Sequence, residues 1–264
     1  MKTKKLLALF LTLALSLSFF ALTVFAYSET VYVSISDGTL QLAYAAVPLS
    51  DTDGDGTLTI NDALYRAHEL YFEGGVDGYG SANTDYGVSL TKLWGDDNGG
   101  SLGYYLNNAS ALSLADPVKD GDHIYAYAYS DLVAWSDTYS YFNVNTATVN
   151  EGEELKLTLS AAGFDENWAP ITKPVEGAKI VVNGKETSYV TDANGNVAIK
   201  TNGFAQYTTI TAVSDSMTLV PPVCLVTVNS VNPPTGDITA FVILFAALAF
   251  ATLATAIFVR KNEN

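Results

Sequence analysis

Short runs in which apolar and polar residues alternate fill most of the chain between residues 31 and 228, and they constrain its fold more than any other feature. The clearest run places Leu155, Leu157 and Leu159 at every second position. Alternation of this kind indicates β-strands with one buried face. Turn residues such as Asn183-Gly184 separate the runs. The sequence therefore predicts a protein built mostly of β-strands.

One segment, residues 63–72, has helical spacing instead. The apolar positions on its predicted buried face are Ile60, Leu64, Ala67 and Tyr71. Two strand runs precede this helix, and three follow it near residues 88–94, 102–107 and 123–129. We therefore predict that residues 27–136 form an α+β head of the β-grasp kind, in which a single helix packs on a mixed sheet.

Residues 143–230 contain strand runs only, which predicts an all-β sandwich after a boundary near residues 136–143. Two stretches resemble known families. Residues 103–108 (GYYLNN), followed by Lys-Asp-Gly-Asp at 119–122 and an aromatic strand, resemble the transcobalamin C-terminal-like domain of bacterial surface proteins. Residues 177–195 resemble bacterial immunoglobulin-like and prealbumin-like stalk domains. The two resemblances imply a β-grasp head followed by an Ig-like stalk.

Both ends of the chain carry an apolar run. Residues 1–26 combine three lysines with an apolar stretch and small residues up to Ala26, which is typical of a secretory signal peptide. An uncleaved membrane anchor is the alternative. Residues 238–259 carry no charge and precede a basic tail at 260–264, which predicts a transmembrane helix with a cytoplasmic tail. The chain is therefore predicted to be exported and held at the cell surface.

The linker before that apolar span, residues 231–237, contains a short motif made of Asn232, Pro233, Pro234, Thr235 and Gly236. Pro, any residue, Thr and Gly, followed by an apolar span and a basic tail, resemble the cell-wall sorting signal of Gram-positive bacteria. The resemblance implies that a sortase cuts after Thr235 and joins it to peptidoglycan. Asn232 stands where the commonest form has Leu, which leaves open which sortase acts. A plain transmembrane helix after a Pro-rich linker is the alternative.

The part predicted to be exported is strongly acidic. Between residues 27 and 235 there are 26 acidic and 8 basic residues, a net charge of −18. Such a surface repels phosphates, which argues against nucleic acid as a partner and favours cations and cationic surfaces. Cys224 is the only cysteine of the sequence, so no intramolecular disulfide can stabilise the protein.

The acidic segment 51–62, DTDGDGTLTIND, has the spacing of an EF-hand-like calcium loop. The loop positions 1, 3, 5 and 12 are filled by Asp51, Asp53, Asp55 and Asp62. Calcium takes about six to eight oxygen ligands, so alternate side chains must turn inward and the chain must bend at Gly56, position 6. Thr57 would add its backbone carbonyl, and Thr59 would add its hydroxyl or hold a water. We therefore predict that this loop binds Ca²⁺.

Asp62 departs from the helix-loop-helix calcium sensors, which place a longer Glu at position 12. The pattern with Asp resembles a dockerin repeat. Dockerins carry two such loops and this chain has one, so the expected role is a single structural site and not a cohesin-binding surface. An acidic, Gly-rich surface turn without metal is the alternative.

Aromatic residues provide a second candidate site. Trp94, Tyr104 and Tyr105 are candidates for a platform on which a sugar or a flat cofactor stacks, with burial in the core as the equal alternative. Acidic residues such as Asp96, Asp97 and Asp122 could be paired as a general acid and base, but turns use Asp for local backbone bonds. We therefore predict no enzymatic activity.

These features together predict a non-enzymatic, calcium-binding surface protein that presents a ligand- or protein-binding head on a stalk. Its expected partners are a sortase, peptidoglycan and an extracellular ligand or protein of unknown identity. A secreted accessory to glycan-active hydrolases and a purely structural wall spacer are the alternative functions.

Overall fold

The alternating runs of the sequence form strands that surround three buried clusters of side chains. The computed structural model describes residues 29–167 and 169–229. The predicted signal peptide, sorting signal and transmembrane span lie outside these residues. The described part is mostly β-sheet with one α-helix, as predicted from the sequence. Within it, no helix is both long and apolar enough to cross a membrane.

The first half contains a five-stranded mixed sheet and the helix. Its elements are β1 (Thr30–Asp37), β2 (Leu40–Pro48), α1 (Ile60–Tyr71), β3 (Gly80–Thr84), β4 (Gly87–Lys92), β5 (Leu102–Leu106), β6 (Ala109–Ser110) and β7 (His123–Ala128). The strand order is β2-β1-β7-β5-β6, with β1 and β7 parallel and the other neighbours antiparallel. Strands β3 and β4 form a separate hairpin. The predicted arrangement of two strands, a helix and further strands is confirmed in this half.

Helix α1 buries one face against this sheet. Ile60, Leu64 and Ala67 are fully buried, and they pack against Val33 and Ile35 of β1 in the first core. The buried face also includes His68, whereas Tyr71 is exposed, contrary to the prediction from spacing. The Tyr71 hydroxyl instead donates to the Ala46 carbonyl on β2 (2.7 Å). The core-facing stripe therefore ends at His68, one turn before the end of the helix.

The second half contains two sheets that enclose a second core. Its strands are β8 (Thr138–Phe142), β9 (Thr146–Asn150), β10 (Glu154–Phe164), β11 (Pro170–Pro174), β12 (Lys179–Val182), β13 (Lys185–Val190), β14 (Asn196–Lys200), β15 (Tyr207–Val213), β16 (Leu219–Val220) and β17 (Cys224–Asn229). One sheet has the order β11-β10-β8-β16, with β14 also paired to β10, and the other has the order β13-β12-β15-β17-β9. Leu155, Leu157 and Leu159 point into the core between the sheets, which confirms their predicted alternation.

The segment that the sequence suggests as a boundary, residues 136–143, contains strand β8. Tyr139 of β8 is buried in a third cluster that joins the two halves, together with Tyr125 and Tyr127 of β7. The Tyr139 ring stacks on Tyr105 at 3.8 Å between ring centroids, and its hydroxyl donates to the Asn108 side-chain oxygen (2.8 Å). Both faces of the parallel pair β1 and β7 are therefore covered, one by α1 and the other by the second half.

Candidate functional site

The acidic loop connects the end of β2 to the start of α1, and its second part is fixed to the first half. Thr59 is the N-cap of α1, and Leu58 packs against the first core. The Leu58 carbonyl accepts a hydrogen bond from the backbone N–H of Val118 (2.9 Å), and the backbone N–H of Ile60 donates to the backbone carbonyl of Asp116 (3.1 Å). The loop therefore ends on a rigid support, while its first part, residues 51–57, is mostly exposed.

Three of the predicted metal ligands converge in this exposed part. Carboxylate oxygens of Asp51, Asp53 and Asp55 lie within 4.8 Å of one another. Gly56 has φ +86°, a backbone conformation that favours glycine, which confirms the sharp bend predicted at position 6. The bend directs the Gly56 N–H back to the Asp51 carboxylate (2.9 Å). Hard oxygens at this spacing suit Ca²⁺ or Mg²⁺, because both ions prefer carboxylate ligands.

The local electrostatics separate the first two carboxylates. Hydrogen bonds from the backbone N–H groups of Gly56 and Gly54 lower the pKa of Asp51. The backbone N–H of Asp55 acts to lower the pKa of Asp53, but desolvation and the neighbouring carboxylates of Asp55, Asp62 and Asp51 outweigh it, so the pKa is raised. The raised pKa of Asp53 thus reflects the repulsion among the carboxylates of the cluster. A bound cation would remove that repulsion.

Asp62 lies outside the group of three converging carboxylates. Its side chain is fully buried, and its two oxygens accept four hydrogen bonds. One oxygen accepts from the backbone N–H and the hydroxyl of Thr52 (2.7 and 2.5 Å), and the other accepts from the backbone N–H and the hydroxyl of Thr59 (3.0 and 2.8 Å). Asp62 therefore completes a capping box at the start of α1 and ties the beginning of the loop to its end.

The two threonines predicted as ligands differ in their surroundings. Thr59 is buried, and its hydroxyl is engaged with Asp62. Thr57 is exposed, and its backbone N–H donates to the Asp55 carboxylate (2.7 Å). The spacing of the sequence did not reveal the role of Thr52. The sequence feature that could have indicated this role is a hydroxyl residue at loop position 2, because its side chain can reach the carboxylate at position 12.

Neither histidine of the chain offers a free nitrogen to this site. The His68 Nδ1 lies 2.7 Å from the Leu64 carbonyl, and its Nε2 accepts the backbone N–H of Trp94 (3.0 Å), so the ring serves as a buried connector. His123 is also buried, and its Nε2 lies 2.9 Å from the Ser34 hydroxyl. Burial lowers the pKa of both rings, that of His123 to about 4. A metal at the acidic loop would therefore have oxygen ligands only.

The candidate aromatic platform is not assembled as one surface. Tyr104 and Tyr105 are neighbours on β5, so their side chains point to opposite faces of the sheet. Tyr104 packs against the first core, as does Trp94, whose ring lies 5.3 Å from that of His68. Tyr105 faces the second half and stacks on Tyr139. All three side chains contribute mainly to packing.

The acidic residues considered as acid and base partners hold turns. The carboxylates of Asp96 and Asp97 accept the backbone N–H groups of Asn98 (2.8 Å) and Gly99 (3.0 Å). Asp122 accepts the Asn107 side-chain amide (2.9 Å) and the backbone N–H of Lys119 (2.9 Å). These are the local bonds expected of Asp in turns.

Comparison with known proteins identifies no family. No protein-family model matches the chain, and no curated protein matches it. Its weak structural neighbours are immunoglobulin-domain proteins. The tandem Ig repeats of Dlar are 12% identical, with a TM-score of 0.25, over 76% of this chain and 95% of that one. The four N-terminal Ig domains of Dscam1 isoform 9.44 are 12% identical, with a TM-score of 0.21, over 78% of this chain and 45% of that one. TM-scores this low do not establish a shared fold.

Proposed function

We propose that this protein is a non-enzymatic, calcium-binding protein of the bacterial cell surface, in which a β-grasp-like head binds a ligand or protein and an Ig-like half serves as its stalk. The observation that carries the metal site is the convergence of the Asp51, Asp53 and Asp55 carboxylates around the bend at Gly56. Residues at alternate loop positions meet there, as the spacing of a calcium loop requires.

The ion would act as a structural clamp between β2 and α1. Asp62 and Thr59 already fix the end of the loop at the N-terminus of α1, and Leu58 anchors it in the core. A cation held by the three exposed carboxylates would add to the tie that Asp62 already makes to Thr52 at the start of the loop. Because the site lies on the surface and lacks the bidentate Glu of the calcium sensors, its affinity should suit extracellular calcium, with a dissociation constant on the order of 10⁻⁴ to 10⁻³ M.

Thermal unfolding of the full-length protein in detergent tests the metal site. At about 10 mM Ca²⁺, an affinity in this range stabilises the folded state by about 1 to 3 kcal/mol relative to EDTA. The melting temperature should therefore rise by about 2 to 10 °C. Asp53→Ala, which removes the side-chain oxygens at loop position 3, should abolish the rise. The matched control Asp85→Ala changes an exposed carboxylate in the β3-β4 turn and should retain it. Equal melting of the wild-type protein in Ca²⁺ and EDTA would contradict the proposal.

Surface attachment has a separate test in a Gram-positive host. If a sortase joins Thr235 to peptidoglycan, enzymatic digestion of the wall should release the wild-type protein, and Thr235→Ala should leave it in the membrane fraction. Release of the wild-type protein by detergent alone would show that the apolar span, and not the wall, holds it.

A further inference from the structure

The loop between β7 and β8 displays apolar side chains to solvent. We call residues 131–137, Asp-Leu-Val-Ala-Trp-Ser-Asp, the Trp135 loop. The exposed fractions are 53% for Leu132, 94% for Val133 and 62% for Trp135. Large apolar side chains that are exposed together mark an interaction surface more often than isolated ones do.

This loop is held rigidly in spite of its exposure. Asp131 accepts the backbone N–H groups of Val133 (3.0 Å) and Ala134 (2.9 Å) and the hydroxyl of Ser136 (2.7 Å). These bonds lower the pKa of Asp131 to about 2, and the bond from the Ala134 N–H contributes most to this shift. Asp137 accepts the backbone N–H groups at the start of the loop, those of residues 130 and 131 (2.8 and 2.9 Å). The loop is thus ordered before any partner arrives, which lowers the entropic cost of binding.

Trp135 occupies a strained position in this loop. Its φ is +50°, a conformation in which a bulky residue is an outlier. The indole N–H donates to the Ser101 hydroxyl (3.1 Å), which holds one edge of the ring against the neighbouring loop. The ring lines an open depression of about 260 Å³ together with Gly99, Gly100, Ser101, Leu102 and Tyr129. Strain of this kind is found where a side chain must be presented in one orientation.

The surroundings of the depression are acidic. Its lining residues belong to two chain segments, 96–102 and 129–137, which contain Asp96, Asp97, Asp131 and Asp137 and no Lys, Arg or His. A Trp ring flanked by carboxylates attracts a cation over its face and along its rim. The exposed Leu132 and Val133 add an aliphatic surface, which suits an apolar protein side chain better than a polar sugar.

From these observations we propose that the Trp135 loop docks a partner protein through a segment in which Lys or Arg stands next to aliphatic residues. The basic side chain lies over the Trp135 ring, whose own loop carries the carboxylates of Asp131 and Asp137, and the aliphatic neighbours cover Leu132 and Val133. An exposed Trp that is held in one orientation is typical of the residues that dominate protein interfaces. This inference rests on the proposed binding role of the head and names its partner class.

Selection of random 12-residue peptides on the full-length protein in detergent tests the inference. The selected peptides should be enriched in Lys or Arg beside Leu, Ile or Val, and their affinity should fall as salt increases. Trp135→Ala should weaken their binding about tenfold or more. The matched control Tyr86→Ala, which removes another exposed aromatic ring in the β3-β4 turn, should leave binding unchanged. Far-ultraviolet circular dichroism of both variants confirms that they are folded.

Four outcomes would overturn the inference. Selected peptides without basic residues would refute the charge argument. Peptides that bind Trp135→Ala with the same affinity as the wild type would show that the Trp135 loop is not the docking site. The proposed binding role of the head would still stand. A glycan array that gives Trp135-dependent binding, with no peptide selected, would assign the loop to sugars. If neither peptides nor glycans bind, the binding role fails as well, and the calcium-dependent melting is unaffected by that result.

Discussion

Asp62→Ala separates a structural role of this residue from a role as a metal ligand. In the structure its carboxylate accepts four hydrogen bonds from Thr52 and Thr59 and completes the capping box of α1. The substitution removes the carboxylate from a position with no solvent access. The backbone N–H groups of Thr52 and Thr59 then lose their acceptor, and the start of the loop is no longer joined to the helix.

The expected loss follows from these contacts. Thr59 remains the N-cap, because its hydroxyl still accepts the backbone N–H of residue 62. A buried N–H left without an acceptor costs about 1 to 3 kcal/mol, and this applies in full to Thr59, which is buried, and in part to Thr52, which is half-buried. The free energy of unfolding should therefore fall by about 2 to 4 kcal/mol, which lowers the melting temperature by about 5 to 15 °C for a folded part of this size.

Urea denaturation of the full-length protein in EDTA measures this loss without any metal contribution. Asp62→Asn keeps the shape of the side chain and one acceptor oxygen, so its free energy of unfolding should fall less than that of Asp62→Ala. The same variants are then melted with added Ca²⁺. If Asp62 acts mainly through Thr52 and Thr59, the calcium-induced rise is reduced but present. A loss below about 1 kcal/mol in EDTA would refute the hydrogen-bond argument.

Three further predictions concern the packing and the buried histidine. Gly195→Ala should cost about 2 to 4 kcal/mol in urea denaturation, because φ is +75° and the new methyl group would overlap the Leu159 carbonyl. Tyr139→Ala should cost about 3 to 5 kcal/mol, because it removes the ring that stacks on Tyr105; a loss under 1 kcal/mol would contradict a packed interface. Burial lowers the pKa of His123 to about 4, so the unfolded state takes up a proton near pH 6.5 that the folded state takes up only near pH 4. Stability is therefore full above pH 6.5 and should fall by about 2 to 3 kcal/mol by pH 4.5, a decrease that His123→Gln should reduce in urea titrations at both pH values.

The sequence predicts those strands whose two faces have different surroundings. Strand β10 alternates because Leu155 and Leu157 face a core while their neighbours face solvent. The sequence of β8 shows no alternation, because Tyr139, Ser140 and Phe142 are all buried. Strands β3 and β11 show none for the opposite reason, since they are mostly exposed on both faces. Periodicity therefore reports the contrast between two faces and not the presence of a strand.

The sequence likewise predicts one part of the candidate site and leaves another part open. Alternate spacing brings Asp51, Asp53 and Asp55 together because the chain turns at Gly56, and both features are visible in the sequence. Asp62 follows Thr59 by three residues, so the same letters fit position 12 of a calcium loop and position N3 of a capping box. Sequence spacing cannot separate these two roles, because they differ in the rotation of one side chain. The roles of Tyr104 and Tyr105 required a further fact, namely that the second half covers one face of the sheet.

The hydrogen bonds within the acidic loop also limit how much bound calcium can add to the stability of the protein. Four backbone N–H groups, those of residues 54 to 57, donate to the carboxylates of Asp51, Asp53 and Asp55. These bonds offset part of the repulsion among the three charges and hold the bend at Gly56 in place. A cation would therefore add to a turn that is already formed, unlike metal sites whose domains fold only with the ion. We accordingly expect the wild-type protein to unfold cooperatively in EDTA, at a lower temperature than in Ca²⁺. Loss of cooperative unfolding on chelation would show that the ion, and not the backbone, shapes the loop.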